Sequence, residues 1–183
     1  MSNENVETLN ELEEIMFKHG NVMNDYDEIL MNYDYKKMSL GDGIYGKYFP
    51  EPYLEKYFEY NGKLTKNEKK KDFVYYFDKN DKLILTERYS NGTILNAILF
   101  YYIKDIIEIV WYCMKKHKII TIGKITYQDN NLEKFIDTGN VKNGRIDSFK
   151  EYLFNTGDEY IKIKSYIRCS NNRDMIINSS IKK

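Results

Sequence analysis

Alanine and glutamine are almost missing from this chain: Ala97 and Gln128 are the only ones in 183 residues. Both are strong helix formers, whereas the 18 tyrosines, the 9 phenylalanines and the many isoleucines fit a pleated, half-buried surface. Composition therefore favours β structure. Two cysteines, Cys113 and Cys169, are too few for a disulfide framework and form no CxxC pair, so they read as reduced core thiols. His19 and His117 are the only histidines, and no HExxH, HxH or Cys/His cluster exists. No metal and no cofactor is expected on that donor set. The longest apolar run, Ala97 to Ile103, is strand-sized and far short of a membrane span. Met1 to Glu14 is polar and acidic, the opposite of a secretory signal, so the expectation is a soluble, cytoplasmic protein without a membrane partner. Formal net charge is zero, which removes the simplest argument for a nucleic-acid coat. What remains is 42% hydrophobic, enough for a real core without disulfides or metals.

The zero net charge hides an asymmetry. Residues 1–35 carry nine acids (Glu4, Glu7, Glu11, Glu13, Glu14, Asp25, Asp27, Glu28 and Asp34) against Lys18, a net of −8, and the rest of the chain balances it at +8. Within the acidic part Val6, Leu9, Leu12, Ile15 and Met16 recur at three- and four-residue steps, which predicts a helix with glutamates opposite its apolar stripe. Asn3 or Asn5 can cap it, and Lys18-His19-Gly20 forms a helix end. A second helix is predicted from Asp25 to Tyr33, with Tyr26, Ile29, Leu30 and Tyr33 on one side. The two form a hairpin whose apolar faces need a sheet to rest on.

Residues 36–57 read as a loop-rich joint, with Lys36-Lys37, Gly41-Asp42-Gly43-Ile44-Tyr45-Gly46 and Pro50-Glu51-Pro52. Beyond it the period becomes strand-like. Strands are predicted over Phe73–Phe77, Lys82–Tyr89, Ile94–Ile103, Ile106–Met114, Ile119–Tyr127, Leu132–Ile136, Phe149–Phe154, Tyr160–Ile167 and Met175–Ile177. Turn chemistry separates them at Lys79-Asn80-Asp81, Ser90-Asn91-Gly92, Gln128-Asp129-Asn130-Asn131 and Asn155-Thr156-Gly157-Asp158. Short runs joined by tight turns favour antiparallel neighbours. Aromatics just before alternate turns (Phe77, Tyr102, Tyr127 and Phe154) suggest a loose repeat of strand pairs. The fold class expected is α+β: an N-terminal acidic helical hairpin (1–35), the joint (36–57), and a twisted antiparallel β-meander (58–183), together one compact domain.

Several patterns could carry chemistry. Gly41 to Gly46 fits the glycine-rich dinucleotide pattern by letter, but lacks a strand before it and a helix after it, and reads as an ordinary loop. His19 sits at a helix end and His117 in the basic turn Lys115-Lys116-His117-Lys118; both have structural reasons to be there, and a His-dependent hydrolase is the remotest alternative. Lys63, Lys66, Lys69, Lys70 and Lys71 beside sheet tyrosines leave nucleic-acid binding as a second alternative. The acidic arm weighs most, because concentrated negative charge steers a basic protein partner; the competing reading docks the arm on the chain's own basic sheet. The partner-binding residues expected are Asp25, Tyr26, Asp27, Glu28, Tyr33, Asp34 and Tyr35, carboxylates with tyrosine anchors.

Tyr60-Asn61-Gly62-Lys63-Leu64, Phe77-Asp78-Lys79-Asn80-Asp81-Lys82-Leu83 and Tyr89-Ser90-Asn91-Gly92-Thr93-Ile94 share the form aromatic, turn, Gly or Asp, then apolar. Over residues 58–136 this resembles the degenerate hairpin repeats of the MORN-variant antitoxin proteins and, more distantly, of YD/RHS proteins. Small bacterial immunity proteins of polymorphic toxin systems are similar in size, acidity and lack of catalytic motifs. The resemblance implies a non-enzymatic protein that binds a partner, such as a basic toxin or effector domain, and blocks it.

Overall fold

The computed structural model describes residues 3–41, 62–129, 131–138, 141–142, 144–154, 160–168 and 175–182. Asp42 to Gly46 of the glycine-rich stretch, the rest of the joint to residue 57 with both prolines, Tyr60-Asn61, the turn at 155–158 and Cys169 lie outside these residues. The described residues form two helices, α1 (Asn3–Lys18) and α2 (Val22–Asn32), followed by strands. These are β1 (Tyr35–Leu40), β2 (Lys63–Thr65), β3 (Phe73–Phe77), β4 (Leu83–Ser90), β5 (Thr93–Ile103), β6 (Ile106–Cys113) and β7 (Lys118–Gln128). The series continues with β8 (Asn131–Asp137), β9 (Val141–Lys142), β10 (Arg145–Ile146), β11 (Ser148–Leu153), β12 (Tyr160–Ile167) and β13 (Met175–Lys182). The architecture is α+β: the N-terminal helices precede a large antiparallel sheet of 11 strands in the order β13-β12-β11-β8-β7-β6-β5-β4-β3-β1-β2, with β9 and β10 paired separately.

Most strand boundaries follow the sequence periodicity, and the hairpin turns show why. Asn91 and Gly92 both take positive φ (50° and 76°) between paired Ser90 and Thr93, the two-residue turn whose twist suits antiparallel strands. The Asp78 carboxylate accepts the N–H groups of Asn80 and Lys82, each at 2.9 Å, and sets the β3–β4 turn. The pairing register also slips in the same place in three hairpins, at Tyr76/Phe77, Arg88/Tyr89 and Thr126/Tyr127, beside the aromatic that precedes each turn. Residues 36–40, read from sequence as the start of the joint, are instead strand. β1 pairs with β3 from Tyr35↔Phe77 to Ser39↔Phe73, burying Met38 and Ser39. The two lysines disguised it, because its pairing partner lies far along the chain.

Two compact units divide the chain. One comprises Met1–Gly20, Tyr101–Val110 and Ile119–Lys183; the other comprises Asn21–Phe100 and Trp111–Lys118. In the first, the predicted stripe of α1 is buried at Leu9, Leu12, Ile15 and Met16, and the sheet contributes Ile122, Ile125, Phe149 and Ile161 to the core. Gly123 is tightly surrounded: a Cβ there would lie 3.3 Å from Ile109 Cβ and 3.4 Å from Phe135 Cε2. In the second unit every residue of β3 is buried, with Leu83, Leu85, Ala97 and Leu99. Burying residues on successive positions means both faces of such strands are covered.

Candidate partner-binding surface

The second unit holds all seven residues expected to meet a partner, and places them very differently. α2 begins at Val22, three residues before the predicted start, and ends where the Tyr33 N–H bonds to the Ile29 carbonyl at 2.9 Å. Val22 and Tyr26 are its buried residues. The Tyr26 hydroxyl donates to Glu87 Oε1, so this ring is spent inside the chain. Tyr33 and Tyr35 are half-buried: Tyr33 meets the Tyr76 ring edge-on at 4.9 Å, and Tyr35 stacks on Phe77 at 4.8 Å while donating to Asp81 Oδ1 at 2.6 Å. Asp25 is half-buried too. Asp27, Glu28 and Asp34 are exposed and join no ion pair among the described residues.

Beneath α2 lies a polar cluster that sequence reasoning missed. Glu87 sits on β4 opposite Val74 of β3, so Tyr76, two residues on, and Tyr89, two residues along β4, project from the same face. Tyr76 and Tyr89 each donate to Glu87 Oε2 at 2.7 Å, and Tyr26 reaches Oε1 from the helix. One buried carboxylate thus accepts three phenols. Burial first, and then the hydrogen bond to the Glu87 carboxylate, holds all three hydroxyls well above the ordinary phenol range. They remain neutral donors at any physiological pH. The signal available in sequence was a lone acid in an apolar run, Leu83-Ile84-Leu85-Thr86-Glu87.

The first unit repeats the device on β6. Glu108, again a lone acid among isoleucine and valine, lies 2.8 Å from Lys18 Nζ and 2.6 Å from His19 Nε2, at the end of α1. The His19 ring is buried and stacks on Tyr101 at 3.7 Å. Burial pushes Glu108 up, but the hydrogen bonds from Lys18 and His19 outweigh it and hold the carboxyl below its ordinary range. Three acids of α1 itself bond to strand residues: Glu11 pairs with Lys124 of β7, Glu4 with Lys164 of β12 at 3.5 Å, and Glu13 Oε1 accepts the Ile146 N–H of β10 at 3.5 Å.

The acidic segment is therefore divided in use. α1 spends Glu4, Glu11 and Glu13 internally, whereas α2 keeps Asp27 and Glu28 exposed beside Met31, which is 82% exposed. Asn24, Asp27, Glu28 and Met31 fall three, four and seven residues apart, on one helix face. Met31 was not singled out by periodicity, because it lies off the apolar stripe.

The other candidate groups are placed as follows. Lys63, Lys66, Lys69 and Lys70 are exposed, and Lys71 Nζ lies 4.7 Å above the centre of the Tyr89 ring, while the neighbouring Tyr75 and Tyr76 are buried. His117 occupies a turn with φ 48°. Among the described residues no group of three or more His, Cys, Asp or Glu could hold a metal ion, and no helix is long and apolar enough to cross a membrane. In comparisons with known proteins, no family model, no curated protein and no solved structure matches this chain.

Proposed function

We propose that this chain is a non-enzymatic binding protein of the cytoplasm, an immunity- or antitoxin-type inhibitor that occludes the active site of a basic toxin or effector domain. In this reading acidic helices are carried on an antiparallel meander, and α2 presents the contact face. The observation that supports it is the exposed row Asn24, Asp27, Glu28 and Met31, with Asp34 following, on a helix fastened from behind by Tyr26 and Glu87. Met31 offers an apolar anchor, and the carboxylates beside it steer a basic surface and penalise an acidic one. Because α2 is held in place before contact, little conformational freedom is lost on binding.

The test pairs the chain with the product of the adjacent reading frame, assayed as a toxin or effector. Stoichiometric inhibition of that effector is expected. Reversal of the two outer charges (Asp27→Lys with Glu28→Lys) should weaken inhibition about a hundredfold, roughly tenfold per charge, with the far-UV spectrum unchanged. Equal inhibition by the reversed chain would refute the α2 surface.

A further inference from the structure

Among the described residues the sheet ends on β2 and β13, and the two are built differently. β2 spans three residues, starts on Lys63 and is followed by Lys66, the short and charged form that discourages pairing with another chain. β13 spans eight residues in unbroken register with β12, from Met175↔Ile167 to Lys182↔Tyr160. From Met175 to Ile181 it has no charge, no proline and no register shift. Met175, Ile176 and Ile177 are 49%, 48% and 50% exposed. Successive side chains point to opposite faces, so apolar surface is open on both. Apart from Lys182 at its end, this strand carries none of the charges, prolines or bulges that normally blunt a sheet edge.

We propose that β13 is the edge through which two copies of this chain pair, antiparallel and about a two-fold axis. Such pairing is isologous: every residue faces its own counterpart or another residue of the same strand. A charged edge would set like charges opposite one another, whereas β13 is neutral from Met175 to Ile181 and meets its copy without repulsion. The neutrality also selects the occupant, since a charged strand from another protein gains no ion pair here. The axis stands perpendicular to the sheet, so each face keeps its own residues together. Met175, Ile177 and Ile181 of one copy then lie beside the same three of the other, and Ile176 is covered on the opposite face. One strand per copy is a small interface, which makes the dimer weak and dependent on concentration. The pairing of β13 does not rest on the inhibitor reading.

Sedimentation velocity across a concentration series tests the pairing on the full chain. A reversible monomer–dimer equilibrium is expected. Ile176→Lys and Ser179→Lys, each at an exposed position, should raise the dissociation constant about tenfold or more by placing like charges across the axis. Their thermal transitions identify which variant is folded. In the unaltered chain, hydrogen exchange at 175–182 should slow as concentration rises, a readout that needs no variant. A chain that stays monomeric at its highest soluble concentration overturns the proposal, as does a dimer whose β13 amides gain no protection. A dimer indifferent to a folded lysine variant overturns it as well.

Discussion

Asp137, the last residue of β8, offers a direct measure of what the sheet interior costs a charge. It pairs with Gly123 of β7 and Lys150 of β11, and its Oδ1 is buried with no hydrogen-bond partner. Burial pushes its carboxyl from 3.8 up to about 7, with the Lys150 charge pulling the other way. Each tenfold change in proton affinity is worth about 1.4 kcal/mol, so the gap between 3.8 and about 7 corresponds to about 4 kcal/mol. The sign follows from which state holds the proton. Below 3.8 both states are protonated and the cost is absent. Between 3.8 and about 7 the unfolded chain ionises while the folded chain does not, so stability falls as pH rises. Above about 7 the folded chain carries the full cost. Asp137→Asn is neutral throughout and escapes it. Urea unfolding of both proteins between about pH 4 and pH 8.5 should show the variant's advantage growing by about 4 kcal/mol, apart from a constant offset. A difference that stays flat with pH would refute the reasoning, and so would an advantage that shrinks.

Two other groups give independent checks. Tyr26→Phe removes one phenol from Glu87 and should cost about 1.5–3 kcal/mol, the range for a hydrogen bond to a charged group; urea unfolding measures the loss, and hydrogen exchange should accelerate in α2. Glu108 behaves oppositely to Asp137: its carboxyl is held below the ordinary range, so its contribution is present above the unfolded value of 4.5 and is lost as pH falls through the folded one. Glu108→Gln should therefore lower stability at neutral pH by about 2 kcal/mol and flatten the acid limb of the stability curve; an unchanged limb would deny the pairing with Lys18 and His19.

The strands that could be read from the chain were those whose cause is local. Phe73–Phe77 and Tyr160–Ile167 appear with the boundaries that their β-branched and aromatic runs predict, and Asn91-Gly92 takes the turn its residues demand. α1 follows its own apolar period from Asn3 to Lys18. Periodicity and turn conformation depend on neighbours within a few residues, so the chain carries them openly. Burial and partnership do not. β1 became a strand because β3 pairs with it, despite Lys36 and Lys37. Tyr26 was read as an outward anchor and is buried, because a glutamate 61 positions later accepts its hydroxyl. His19 found Glu108 across 89 positions. The contrast between Glu4, Glu11 and Glu13 of α1, which bond to strand residues, and Asp27 and Glu28 of α2, which face solvent, has the same origin. It depends on which distant lysines and backbone groups the folded sheet brings within a few ångströms, and no local pattern of residues records that.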